Sequence, residues 1–180
     1  MSLLVNISTL VANSEIRTEV VEGVEFTVLP SKTLPPNIVM NGILYDEMDV
    51  EANIGTLDGS PVTMSHPVIN GRFADAYEPI SQAKFGLGGA FNKVRGKAGD
   101  GSWIVEKYIP TEQLQNTERG KNLAEAIKSK QPIHTSTGVY LTKIPEIGTN
   151  AAGQNYRSRA KIDKFNHDAI LLNEVGAATP

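Results

Sequence analysis

Three short segments of the chain carry the side chains that could perform nucleophilic chemistry. They are Ser65-His66-Pro67, His134-Thr135-Ser136-Thr137-Gly138 and Asn166-His167-Asp168. A serine becomes a nucleophile when a base lies within hydrogen-bond reach and a third group orients that base. The chain has three histidines and no cysteine. The three segments therefore favour serine-based over thiol-based chemistry.

Ser136 lies in a stretch that is typical of a β-strand, where alternate side chains share one face. His134 and Ser136 are expected to point one way, and Thr135 and Thr137 the other. Small neighbours would let a substrate backbone approach the serine. A serine in such a strand is usually structural, so this segment alone does not establish a nucleophile.

The two outer histidines lie where the local sequence restricts their direction. His66 precedes a proline, which favours an extended or turn conformation, and His167 begins an apolar strand. A histidine before a proline is most often a surface or capping residue, and one at a strand end is most often a hydrogen-bonded structural residue. Asp168 would face the opposite way from His167 in a regular strand. We therefore prefer His167 over Asp168 as the third member of a triad.

A metal site is the other chemistry that three histidines suggest. The chain has no His-x-His or His-x-x-x-His spacing, and His134 shares its predicted face with a serine rather than a carboxylate. We therefore expect no metal ion and no other cofactor.

Composition narrows the class of protein. The 180 residues are enough for one hydrophobic core. The net charge of −3 argues against a role in nucleic-acid binding. Apolar runs are too short for a membrane span, and residues 1–6 lack the features of a signal peptide.

The elements that must position these residues are mainly strands. The predicted elements are a hairpin over 16–29, a short helix over 46–54, a long helix over 111–130, a strand over 133–144 paired with 154–165, and a last strand over 167–172. This pattern predicts an α+β fold, mainly an antiparallel β-barrel with flanking helices. The predicted boundaries are an N-terminal arm (1–15), one domain (16–175) and a tail (176–180).

Taken together, the motifs resemble those of phage prohead proteases, the capsid maturation enzymes. That family's pattern reads Thr-x-x-His-Pro, then Leu-Ser-x-Gly-Tyr, then Asn-His-x-Ala-Leu-Val. This chain reads Thr63-Met64-Ser65-His66-Pro67, then Thr135-Ser136-Thr137-Gly138-Val139-Tyr140, then Asn166-His167-Asp168-Ala169-Ile170-Leu171. The resemblance covers roughly residues 16–176, and its strength lies in the order and spacing of all three motifs.

The resemblance implies a herpesvirus assemblin-like fold with a Ser-His-His triad. Carried over, Ser136 is the nucleophile, His66 the general base and His167 the residue that orients His66. Where the family usually has Arg-Ala-Gly after the last strand, this chain has Val175-Gly176-Ala177. An oxyanion site would therefore need other donors. The candidates for the cleft or the oxyanion site are Thr135, Thr137, His134, Arg157 and Arg159.

The function that the resemblance implies is a serine endopeptidase of capsid maturation. Its partners would be the phage scaffold protein and the major capsid protein, inside the assembling prohead in the host cytoplasm, with no membrane or nucleic-acid partner. The resemblance leaves the oligomeric state open, and a homo-oligomer is one of the states considered. One alternative is an inactive virion or scaffold component that keeps the protease fold. Another is a bacterial hydrolase unrelated to phage.

Overall fold

The computed structural model describes residues 3–11 and 15–172. The strands are β1 (Leu3–Leu10), β2 (Arg17–Val21), β3 (Val24–Thr33), β4 (Val39–Met40), β5 (Ile43–Leu44), β6 (Pro61–Met64), β7 (Val68–Ile69), β8 (Arg72–Phe73), β9 (Gly86–Lys97), β10 (Trp103–Pro110), β11 (His134–Thr149) and β12 (Asn155–Leu171). The helices are α1 (Glu47–Asn53), α2 (Pro79–Phe85), α3 (Thr111–Asn116) and α4 (Glu118–Lys128), with a 3-10 turn at Ile54–Leu57. This mixture, mostly strands with a few helices, confirms the α+β class.

One large sheet has the strand order β1-β11-β12-β6-β9-β10-β3-β2, and β5 joins it through β12. Most neighbours are antiparallel, but β6 and β5 run parallel to β12. The predicted closed barrel is not found among the described residues. β10 pairs along one edge of β3 and β2 pairs along part of the other. Within the described residues, the backbone pairing between β3 and the chain after β1 is limited to an isolated bridge between Val11 and Ser31.

Part of the predicted N-terminal arm, residues 1–15, lies in the main sheet. Leu3–Leu10 form β1, which pairs along β11 from Leu3 opposite Leu141 to Leu10 opposite His134. This part of residues 1–15 is therefore a strand of the main sheet, because its backbone groups satisfy the free edge of β11. The predicted tail, 176–180, lies outside the described residues.

The predicted hairpin over 16–29 is present as β2 and β3. Glu22 and Gly23 both have positive φ, +49° and +82°, which suits a two-residue turn between twisted strands. The predicted long helix is wrong in one respect. Thr117 is extended and its hydroxyl accepts a hydrogen bond from the Gly120 amide, so it ends α3 and caps a separate α4.

The longest pairing joins β11 to β12. It runs from His134 opposite Leu171 to Thr149 opposite Asn155, with local register shifts. The predicted last strand over 167–172 is therefore the end of β12, not a separate element. The shift between Gly138 and Val139 skips Asn166, so the chain keeps pairing across a bulge instead of turning.

A buried ion pair lies on the inner face of this sheet. Lys107 Nζ contacts Asp168 Oδ2, and both side chains are almost fully buried. Lys107 also donates to Ser31 Oγ at 2.9 Å, and Thr137 Oγ1 donates to Asp168 Oδ1 at 3.2 Å. On the same face of β10, Val105 packs into one apolar cluster and Ile109 into another. The pair thus lies between two hydrophobic clusters.

The helices α1 to α4 are all short. Within residues 3–11 and 15–172, none is both long and apolar enough to cross a membrane.

Replacing Lys107 by Met should destabilise the fold by about 3–5 kcal/mol, because Asp168 would remain buried without its countercharge. Urea unfolding measures this loss. Lys121→Met, at an exposed position of α4, is the matched control and should change the free energy of unfolding by less than about 0.5 kcal/mol. Equal effects from the two changes would show that the Lys107 charge is not needed.

Candidate functional site

The β11–β12 register places the nucleophile candidate and one histidine on the same face of the sheet. Ser136 is opposite Ala169, and Gly138 is opposite His167. Directly opposed residues share a face, and a diagonal pair such as Ser136 and His167 has Cα atoms about 7–8 Å apart. The two side chains are therefore neighbours although 31 residues separate them in the chain.

Gly138 makes room for the histidine ring. A Cβ atom built on Gly138 would lie 2.2 Å from His167 Cε1 and 2.6 Å from its Nδ1. Any larger residue would collide with a ring that is held on both sides by hydrogen bonds. The glycine after Thr137 is thus required for the imidazole to lie over β11.

His66 reaches the same place through β6. Thr63 pairs with Ala169 in the parallel ladder, and the Ser65 amide donates to the Ile170 carbonyl at 2.9 Å. Ser65 has a φ of +65°, which is uncommon for a residue other than glycine, and turns the chain immediately before His66. Its carbonyl accepts a hydrogen bond from Thr63 Oγ1 at 2.8 Å, which holds the turn.

The two histidines contact each other directly. His66 Nδ1 lies 2.8 Å from His167 Nε2, and the ring planes meet at 71°. The predicted triad requires His66, Ser136 and His167 to converge, and the structure brings the two histidines, 101 residues apart, into contact. Phe73 packs edge-on against the His66 ring with centroids 5.8 Å apart.

Two further residues extend this contact, and sequence reasoning missed their part. His167 Nδ1 lies 2.9 Å from Asn166 Oδ1. Asn166 Nδ2 donates to Asp75 Oδ1 at 2.9 Å. Asn166 belongs to the third motif, but no role was predicted for it. Asp75 lies in a loop, and nothing in the sequence around it distinguishes it as a site residue. The Asn-His dipeptide was the one clue that could have drawn attention to Asn166.

Burial governs the protonation of the pair. It lowers the pKa of His66 from 6.5 to about 4. Burial also lowers the pKa of His167 to about 3, with a smaller contribution from His66. Both rings are therefore neutral at pH 7, and one can donate while the other accepts.

Ser136 is completely buried, and its hydroxyl has no hydrogen-bond partner among the described residues. The same holds, within that part of the chain, for Nε2 of His66. The two atoms are therefore not hydrogen-bonded to each other in this structure. Unliganded catalytic sites often have such loose spacing before substrate binds.

The two threonines beside Ser136 do not share its face. Thr137 Oγ1 donates to Asp168 on the inner side of the sheet, and Thr135 has the same orientation by strand alternation. Their side chains cannot line a cleft at Ser136, as the cleft assignment required. Asp168 is committed to Lys107, so it is not available to either histidine.

His134 is half-buried, two residues before Ser136 on the same face. It takes no part in the His66–His167 contact. The two arginines proposed for the oxyanion site are too far away. Arg159 precedes His167 by eight residues, about 25 Å of extended strand, and its Nε lies 3.7 Å from Glu146 Oε1. Arg157 is farther still, beside Gly42.

No group of three or more His, Asp or Glu side chains in the described ranges has an arrangement suited to a metal ion.

No protein-family model matches the chain, and no curated protein or solved structure is significantly similar to it. The site must therefore be interpreted from its own geometry.

Replacing Gly138 by Ala should displace His167, because the new methyl group would overlap its ring. Overpacking of this kind destabilises a fold by about 1–3 kcal/mol. Urea unfolding gives the loss of stability, and histidine-ring NMR signals report the broken contact. Gly55→Ala is the matched control, since its Cβ would meet nothing within 4 Å. A Gly138→Ala protein with unchanged histidine signals would contradict this packing.

The free energy of unfolding should fall as the pH is lowered from 6.5 towards 4. In that range the unfolded histidines bind protons and the folded pair does not. The expected slope is up to about 1.4 kcal/mol per pH unit for each histidine, in addition to that of the carboxylates.

Urea unfolding between pH 7.5 and 4.5 measures this slope. His66→Gln should flatten it by removing one of the two titrating groups, and His134→Gln is the control outside the pair. Parallel curves for the wild type and His66→Gln would contradict the neutral, buried state of His66.

Proposed function

We propose that this protein is a serine endopeptidase of phage capsid maturation that uses Ser136, His66 and His167. The observation that supports it is the hydrogen bond between His66 and His167 on the face of the sheet that carries Ser136. These are the same three residues on which the resemblance to prohead proteases depends. Two buried histidines in contact beside a buried serine are hard to explain as surface or capping residues.

The proposed reaction is acyl transfer in two steps. Ser136 Oγ attacks the carbonyl carbon of a peptide bond while its proton passes to His66 Nε2. The carbon–nitrogen bond then breaks, and the same proton goes to the departing amine. Water, deprotonated by His66, hydrolyses the acyl-enzyme, and the serine regains its proton.

His167 would orient His66 and accept a hydrogen bond from its Nδ1. A neutral imidazole stabilises the His66 imidazolium less than a carboxylate would, so turnover is expected to be slow. The substrates would be the scaffold protein and the major capsid protein inside the assembling prohead. The mechanism requires no cofactor.

The alternative, an inactive virion or scaffold component, is favoured by two observations. Ser136 is fully buried, and neither Arg157 nor Arg159 lies near it. An occluded hydroxyl to which neither of these arginines is close suits a protein that has lost activity. Active-site labelling distinguishes the two proposals without knowledge of the substrate.

Ser136→Ala should abolish labelling by a fluorophosphonate probe, because the probe reacts only with an activated hydroxyl. The variant should be as stable as the wild type or more so, since it removes a buried hydroxyl that lacks a partner in the described structure. Ser81→Ala, in α2, is the matched control: Ser81 is equally buried and its hydroxyl is likewise unpaired there. It should label like the wild type.

The variants are then co-expressed with scaffold and capsid proteins to follow precursor cleavage. His66→Ala should block processing, and His134→Gln should reduce it much less. If the wild type neither labels nor processes its precursors in an assembled prohead, the inactive alternative is correct. Labelling together with hydrolysis of small esters, but no precursor cleavage, would favour the unrelated hydrolase.

A further inference from the structure

Asn166 is fully buried, and its hydrogen bonds define which end of its amide is the oxygen. Its Oδ1 accepts from the Ala76 backbone N–H at 2.9 Å, a group that can only donate. Its Nδ2 lies 2.9 Å from Asp75 Oδ1, which also accepts from the Tyr77 amide at 2.8 Å. A flipped amide would place two donors face to face at Ala76 and two acceptors at Asp75. The orientation shown is therefore the one that satisfies both ends.

This orientation decides where the proton of His167 lies. Asn166 Oδ1 can only accept, so His167 Nδ1, 2.9 Å away, must carry the hydrogen. A neutral imidazole has a single N–H, and the pair is neutral at pH 7 because burial lowers the pKa of each ring. His167 Nε2 is then a lone-pair acceptor.

The same hydrogen-bond argument applies to His66. Its Nδ1 lies 2.8 Å from that acceptor and must be the donor. Its Nε2 is left without a hydrogen. That nitrogen is buried and has no partner within the described residues. A lone pair in this position is what a general base needs.

We infer that Asn166, held by Asp75 and the Ala76 amide, is a positioning residue that fixes the tautomers of both histidines and leaves His66 Nε2 as the base. The role as base rests on the proposed function. The tautomers themselves follow from the hydrogen bonds alone. Two other titratable groups face Asp75. Lys164 Nζ lies 3.9 Å from Asp75 Oδ2, and the Tyr140 hydroxyl hydrogen-bonds Asp75, with its pKa raised by burial and then by the Asp75 and Glu78 carboxylates.

The first test is spectroscopic and requires no activity. Two-bond ¹H–¹⁵N correlation spectra of the ¹⁵N-labelled wild type at pH 7 assign the tautomer of each histidine. His66 and His167 should both be protonated at Nδ1. Protonation at Nε2 in either ring would overturn the inference. Asn166→Ala should lose the fixed Nδ1–H form of His167, and the control Asn92→Ala, at another buried, hydrogen-bonded asparagine, should keep it.

The second test is the pH dependence of fluorophosphonate labelling. In the wild type the rate should fall only as the pH drops towards about 4, where His66 becomes protonated. Asn166→Ala should label about 10²–10⁴-fold more slowly, the usual contribution of a general base. A rate within threefold of the wild type would overturn the inference.

A double variant guards against misfolding. Asn166→Asp with Asp75→Asn keeps an acceptor for the Ala76 amide and for His167 and places an amide donor at position 75, at the cost of the acceptor for the Tyr77 amide. It should retain the Nδ1–H tautomers and shift the labelling midpoint to higher pH, because the new carboxylate stabilises the protonated pair. An unchanged midpoint would count against contact between residue 166 and His167.

The two proposals can fail separately. Correct tautomers with no labelling of the wild type would remove the enzyme function and leave the positioning role of Asn166 intact. Labelling of the wild type together with Nε2–H tautomers would remove the positioning role of Asn166 and leave the enzyme function intact.

Discussion

The register between β11 and β12 is the constraint on which the candidate site depends. It places Ser136 opposite Ala169 and Gly138 opposite His167. A slip of one residue would turn every side chain of one strand to the other face. A slip of β12 would turn His167 to the face of the sheet that carries Lys107, and Lys107 would lose Asp168 as its partner. The Lys107–Asp168 ion pair on one face of the sheet and the His66–His167 pair on the other face therefore enforce the same register.

Several features of the site reduce the stability of the fold. Ser136 buries a hydroxyl that lacks a partner among the described residues, His66 and His167 are held neutral by burial, and Ser65 has a positive φ. Each costs free energy that ordinary core packing would avoid. Their concentration at one place, within a well-packed sheet, is typical of a functional site rather than of a structural core. The same burial that lowers stability at acid pH keeps His66 in the form that can accept a proton.

The loop after β6 completes the site from a different part of the chain. Residues 66–77 bring His66, Asp75 and the Ala76 amide against the end of β12. The backbone amide of Ala76 is a fixed donor, and its direction propagates through Asn166 and His167 to the last nitrogen of His66. A side-chain network that ends on a backbone group has its polarity defined by the fold. Such a network can hold a neutral base without a carboxylate beside it.

The sequence by itself determined the strand-rich α+β class and the β2–β3 hairpin, because strand alternation and turn residues are local properties. The candidates Ser136, His66 and His167 came from the order of three motifs and their resemblance to those of prohead proteases. The sequence could not separate α3 from α4, since one capping hydrogen bond at Thr117 decides that break. The sequence also could not show which distant segments of the chain lie together. β1 in the sheet, the absence of a closed barrel among the described residues, the distance of Arg157 and Arg159, and the roles of Asn166 and Asp75 all depend on pairing between distant segments. Only the tertiary structure fixes these, because hydrogen bonds across a sheet join residues that no local pattern links.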